Sequence, residues 1–97
     1  MYQALPSSLH IKDSPVAGQG IFAKEDIPAD LELGVSHVVV DEDIMRTPIG
    51  GFVNHSDEPN CIKYSKKQDW GEIYYMKTIK AIKKGEELFL KYTFYTV

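Results

Sequence analysis

Cysteine occurs once in this sequence, at position 61, which excludes an intramolecular disulfide framework and any cysteine-rich zinc cluster. A reducing compartment is the expected setting, so we read an intracellular protein, cytoplasmic or nuclear. No run approaches the roughly 18 apolar residues of a membrane span. The N-terminus also lacks a basic stretch followed by an apolar one, and neither a span nor a signal peptide is expected. Charge of one sign is short in each half. Residues 1–60 hold three basic and ten acidic side chains and residues 61–97 hold eight and four, so the halves carry −7 and +4. The basic half has no arginine, and its lysines are read as lying along strands and turns without interleaved stacking aromatics, so a solvated lysine face is expected over a nucleic-acid surface.

What is present is the composition of an ordinary globule, 97 residues with 43% hydrophobic and 26% charged, and we expect one domain over residues 1–97. A chain of this length buries only about 60 to 65% of its unfolded surface. Its core is thin and a deep site is hard to close, so help from a second subunit, as a homodimer, is expected. The segment LHI at 9–11 reads as a short strand, and SPVAGQG at 14–20 as a turn-rich loop leading into the apolar IFA at 21–23. From Leu31 the chain alternates, with Leu31, Leu33, Val35, His37 and Val39 on one face of an extended segment. Residues 41–46 have room for at most one helical turn before Thr47-Pro48 and Gly50-Gly51. Residues 61–65 and 72–78 read as strands joined by a loop at 66–71, and 87–92 as a last strand. The sum is mostly β. One internal echo runs from Ala23 to Leu33 and again from Thr78 to Leu88, each copy a strand, a turn and a strand with Ile and Leu in register.

Three short motifs remain. Gly18-Gln19-Gly20 lacks the third glycine and the following helix of a dinucleotide fold. His55-Ser56-Asp57 cannot be a hydrolase triad, because consecutive residues cannot converge on one substrate atom. His10, His37, His55 and Cys61 have none of the close spacings of zinc signatures, so no metal is expected. Read alone, Asn54-His55-Ser56 is a polar turn in which Asn and Ser cap backbone groups and Pro59-Asn60 ends it.

Read with its neighbours it says more. SPVAGQGIFA at 14–23, NHSDEPNC at 54–61 and GEELFLKY at 85–92 occur in that order and span nearly the whole chain. Together they resemble the SET-domain family of protein lysine methyltransferases, whose motifs run Gly-x-Gly, Asn-His-Ser-x-x-Pro-Asn and Gly-Glu-Glu-Leu-x-x-x-Tyr. The resemblance implies a minimal SET domain with a β-clip fold: mostly β, short strands, little helix, and a knot-like threading of the C-terminal segment. It implies S-adenosylmethionine as cofactor, bound by Gly18, Gln19, Gly20, Asn54 and His55, with Asn54 holding the amino-acid part and His55 framing the adenine. Tyr92 takes the place of the catalytic hydroxyl. Leu90 and Tyr95 take places along the substrate channel, with Phe94, Tyr74 and Tyr75 as further aromatic candidates. The implied partner is a protein substrate with an accessible lysine, and the implied alternative is a non-catalytic SET-like module that binds protein or cofactor.

The sequence departs from the family in four places. Lys91 stands where an Asp commonly precedes the catalytic Tyr, and Leu90 where a Phe or Tyr often influences how many methyl groups are added. Leu90 has no hydroxyl, so a product beyond monomethyl lysine is expected to be permitted. The helical insert that usually walls the substrate groove shrinks to about residues 41–50, and a Cys-rich segment after Tyr92 is absent from these residues. Asp41, Glu42 and Asp43 stand where the insert would be, as a candidate contact for a basic, lysine-containing tail.

Overall fold

The strand-forming runs pair into three small sheets in the computed structural model, which describes residues 5–16 and 18–91. β1 (Leu9–Asp13) and β2 (Gln19–Ala23) form an antiparallel hairpin with Leu9 opposite Ala23 and Asp13 opposite Gln19. Four antiparallel strands make the largest sheet, in the spatial order β4 (Asp43–Arg46), β3 (Glu32–Val40), β7 (Gly71–Thr78), β6 (Cys61–Gln68). The third sheet is a parallel pair, β5 (Asn54–His55) against β8 (Phe89–Leu90). Helix is limited to α1 (Pro48–Phe52) among the described residues. The mostly β architecture expected from the sequence is the one found.

The core is made where the three sheets meet. Leu9, Ile21 and Ala23 come from the hairpin, Leu33, Cys61 and Met76 from the large sheet, Leu90 from the parallel pair and Ile49 from α1, joined by Ile27, Val53, Ile82 and Leu88. Each buried aliphatic side chain of this set contributes about 1.5–3 kcal/mol of transfer free energy. No helix of the described residues is long and apolar enough to cross a membrane.

Three local readings change in the folded chain. The regular alternation expected from Leu31 onward is broken by register shifts between Glu32 and Gly34 and between Val35 and His37. An extra residue at such a bulge rotates the strand, so Ser36 and His37 are both buried and Leu31 is exposed. Residues 43–46 are strand, because His37 through Val40 pair with Arg46 through Asp43 across a tight turn. The helical turn falls after them instead. Thr47 caps it, its Oγ1 accepting from Gly50 N at 3.4 Å, and Pro48 supplies a fixed φ at the first position. The loop expected at 66–71 shrinks to Asp69 and Trp70, since Lys66, Lys67 and Gln68 continue β6 opposite Ile73, Glu72 and Gly71.

The internal echo is a structural pair related by an approximate two-fold. Ile27 and Ile82 exchange backbone hydrogen bonds of 2.7 and 2.8 Å. Around them the bonds repeat with partners interchanged. Asp30 N donates to Thr78 O at 2.9 Å and Gly85 N to Ala23 O at 2.8 Å, while Thr78 N donates to Leu31 O at 3.0 Å and Ala23 N to Glu86 O at 2.9 Å. The residue three past each isoleucine has positive φ, 63° at Asp30 and 92° at Gly85. This clasp lays residues 85–88 against β2, with Leu88 N donating to Ile21 O at 2.8 Å, and so fixes the approach of the last motif to the first.

Candidate functional site

Glu87 is the point at which the three motifs meet. It forms a bridge with Phe22 of β2 and is 9% exposed. Its carboxylate accepts from the Ser14 hydroxyl, at 2.8 Å to Oε1 and 3.0 Å to Oε2. It also accepts from Asn54 Nδ2 at 2.7 Å, through Oε2. Asn54 Nδ2 donates in addition to the Gln19 carbonyl at 3.3 Å. Gly20 completes the contact. A Cβ at this position would stand 2.2 Å from Glu87 Oε2 and 3.0 Å from Asn54 Nδ2, so only glycine lets the backbone pass here. The loop before it is closed by Ser14 N donating to Gly18 O at 2.8 Å, with Gly18 at φ 45°.

The Asn-His-Ser-x-x-Pro-Asn segment is built around β8. Asn54 pairs with Phe89 and His55 with Leu90 in parallel register, and Ser56 N donates to Leu90 O at 3.0 Å. Ser56 Oγ accepts from Glu58 N at 3.0 Å and starts the turn. Asn60 ends it. Its Nδ2 donates to Glu87 O at 2.8 Å and its Oδ1 accepts from Phe89 N at 2.8 Å, so one side chain serves two backbone groups on either side of Leu88. The His55 ring is partly exposed, with Nε2 3.3 Å from Asp57 Oδ1.

Leu90, 2% exposed, lines a concavity of about 220 Å³ with Cys61, Ile62, Tyr74 and the lysines Lys63 and Lys91. Tyr92 and Tyr95, with Phe94, lie outside the described residues, as does the end of the expected last strand with its threading. Of the two remaining aromatic candidates, Tyr74 lines the concavity. Tyr75 instead stacks on Tyr64, with ring centroids 5.6 Å apart at 24°. Lys66 Nζ lies 4.9 Å from the Tyr75 ring and Lys77 Nζ 5.6 Å from that of Tyr64. Lysines and aromatics therefore do interleave, both along the chain, as in Lys63-Tyr64-Ser65-Lys66, and across strands β6 and β7, which corrects the expectation of lysines without interleaved aromatics.

Burial sets the titration behaviour near the site. It pushes the Cys61 thiol up to about 12, so this cysteine stays protonated. It lowers Lys63 below the usual lysine range. His37 is lowered to about 4, first by burial and then by the charges of Lys63 and Arg46. Its Nδ1 is 3.0 Å from Ser36 Oγ, and the Ser36 hydroxyl donates to Tyr74 O at 3.3 Å, so Nδ1 carries the proton of the neutral ring.

The sequence-predicted residues Gly18, Gln19, Gly20 and Asn54 come together, and His55 adjoins them through the β5–β8 pair. Asp41, Glu42 and Asp43 do not join them. Asp41 and Glu42 form the turn beyond Val40 and Asp43 opens β4 opposite Val40, which on its other side is opposite Gly71, whereas Asn60 and Glu87 adjoin the Cys61–Thr78 end of the sheet. The eight residues of β6 separate the two ends by roughly 23 Å. Ser14, Asn60 and Glu87 were missed as site residues. The adjacent Glu86 and Glu87 differ only in which way they face: Glu86 is exposed and its Oε1 accepts from Lys83 N at 2.6 Å, capping its own turn.

No curated protein matches the sequence. Among solved structures, the fold is similar to the crystal structure of a Plasmodium falciparum protein described as a "putative histone methyltransferase". The TM-score is 0.75 at 18% identity, over 91% of this chain and 95% of the other. At that identity the likeness is one of fold. The sequence itself supplies the family: residues 31–93, carrying the second and third motifs, match the SET domain, and with the Gly-x-Gly hairpin packed on both motifs this chain belongs to the SET-domain family.

Proposed function

We propose that this chain binds S-adenosylmethionine and transfers a methyl group to the side-chain amine of a protein lysine. The observation that carries the reading is the convergence of three separate motifs: Asn54 Nδ2 donates to Glu87 Oε2 at 2.7 Å, and the Gly20 backbone packs so closely on both that a Cβ there would clash. The arrangement fits the amino-acid end of that cofactor. Glycine at 20 lets the backbone pass close to the Asn54 amide, which donates to the Gln19 carbonyl, and Glu87 adds a carboxylate behind it.

When bound, the cofactor supplies an electrophilic methyl group on a sulfonium. The chain has to align a neutral amine with it and exclude water. A lysine amine with a pKa near 10.4 is only about one part in a thousand neutral at pH 7.4, so a poorly solvated path to the methyl is part of the task. The concavity bounded by Leu90, Cys61 and Ile62 is apolar on that side, and it adjoins the His55–Leu90 pair. Tyr92, two residues past Leu90, is the hydroxyl we assign to orienting the amine, with Tyr95 beside the channel. Leu90 itself brings no hydroxyl to this wall, which permits products beyond monomethyl lysine. A second copy completing the acceptor groove is part of the proposal, and a protein that sediments as a monomer at every concentration would remove that part.

Calorimetric titration with S-adenosylmethionine needs no knowledge of the acceptor. The wild type should bind and Asn54→Ala should bind at least about tenfold more weakly. Tyr92→Phe should keep cofactor binding and lose methyl transfer in a lysine-peptide screen read by mass spectrometry. A folded wild type that binds no cofactor would sink the reading.

A further inference from the structure

An asparagine amide can present either its oxygen or its NH2 group to a ligand, and the rest of its surroundings decide which. In Asn54 the decision is made from behind. Nδ2 lies 2.7 Å from a Glu87 carboxylate oxygen and 3.3 Å from the Gln19 carbonyl, both of which only accept. The flipped amide would set Oδ1 against two acceptors, so Oδ1 is turned away from Glu87. Glu87 is in turn held. The Ser14 hydroxyl accepts from Val16 N at 3.0 Å, so its own proton goes to the carboxylate, which it meets at 2.8 and 3.0 Å. Gly20 leaves no slack, since even a methyl group would collide with Oε2.

Glu87 also lacks a counter-charge. It is 9% exposed, and among the described residues it forms no ion pair, its acceptor capacity being met by a hydroxyl and an amide. A carboxylate buried without a cation costs stability, and its retention calls for a compensating gain. The amino-acid end of the proposed cofactor carries the missing charge, an α-ammonium that donates only.

We propose that Glu87, anchored by Ser14, is a positioning residue that fixes the Asn54 amide with Oδ1 toward the ligand and thereby selects an α-ammonium group. This rests on the cofactor reading above and extends it to residues outside the assigned binding set. The same carboxylate ties the residue 14–20 loop to β5, so the two halves of the amino-acid pocket hold one geometry.

The test compares two probes, S-adenosylhomocysteine, which has the α-amino acid, and methylthioadenosine, which lacks it. Glu87→Gln keeps the size of the side chain but presents an NH2 that lets the Asn54 amide turn over. It should weaken S-adenosylhomocysteine at least about tenfold and change methylthioadenosine by less than about twofold. Ser14→Ala, which leaves Glu87 in place but unanchored, should show the same selectivity at about two- to fivefold, and it carries the test if Glu87→Gln does not fold. Equal weakening of both probes would mean a purely structural role and overturn the proposal, as would unchanged binding of both. Wild type that binds neither probe overturns the cofactor reading itself, whereas selective wild-type binding with indifferent variants overturns the Glu87 assignment alone.

Discussion

Single side chains hold this molecule at its crossings. Asn60 bridges Glu87 O and Phe89 N with two bonds of 2.8 Å, and no other residue type of its size both donates and accepts in that geometry. Asn60→Ala leaves both backbone groups unpaired and should lower unfolding free energy by roughly 1–3 kcal/mol in urea titration. His37 gives a pH signature. Its folded-state pKa of about 4 lies below the ordinary 6.5, so the unfolded chain takes up the proton first as pH falls. Its contribution is therefore complete above pH 6.5, is lost as pH drops toward 4, and amounts to at most roughly 3 kcal/mol. Denaturation at pH 7 and pH 4.5 should show the loss, and His37→Gln should remove that share while leaving the carboxylate titrations in place.

At the scale of elements, the paired turns after Ile27 and Ile82 make matched but unequal demands. Gly85 at φ 92° has no side chain to strain, whereas Asp30 tolerates φ 63° at some cost. Gly85→Ala should therefore destabilise by about 1 kcal/mol or more, and Asp30→Gly should be close to neutral, because relief of backbone strain offsets added chain entropy and the lost exposed bond to Lys77. Equal costs for the two changes, measured by chemical denaturation, would contradict the two-fold reading. The echo between residues 23–33 and 78–88 was legible along the chain because both copies need the same Ile, turn and Leu. The bulges in β3 were not, since they depend on the register imposed by β7, and the strand at 43–46 needed β3 as a partner before its four exposed residues could count as strand.

For the whole molecule, the parallel pairing of residues 54–55 with 89–90 draws together the second and third motifs, and the 27–82 clasp adds the first. A ligand that bridges these motifs should stabilise the fold as a unit. With S-adenosylhomocysteine at about 100 times its Kd the gain should be near 2.7 kcal/mol, read as a rise in Tm. At the same ligand concentration the gain should fall to about 1.4 kcal/mol or less in Asn54→Ala. A rise of the same size in that variant would place binding elsewhere. The opposite charges of the two halves do not segregate into two lobes, because β3 from the acidic half and β7 from the basic half are neighbours in one sheet.

The sequence by itself determined the class of fold and the family, since β-branched runs, turn residues and three motifs are local patterns that need no partner to be read. It also placed Gly20 and Asn54 in one site by resemblance. Which of two adjacent glutamates would be the hub was decided only by tertiary structure. Ser14 and Glu87 are 73 residues apart, and Glu87 faces inward because the clasp lays its strand against β2. The same holds for Tyr74 and Tyr75, neighbours sent to opposite faces by the pleat of β7, one to the concavity and one to a lysine–tyrosine stack. Residue type decides what a side chain can do, but the direction it points is a property of the backbone, and here that backbone is set by pairings far along the chain.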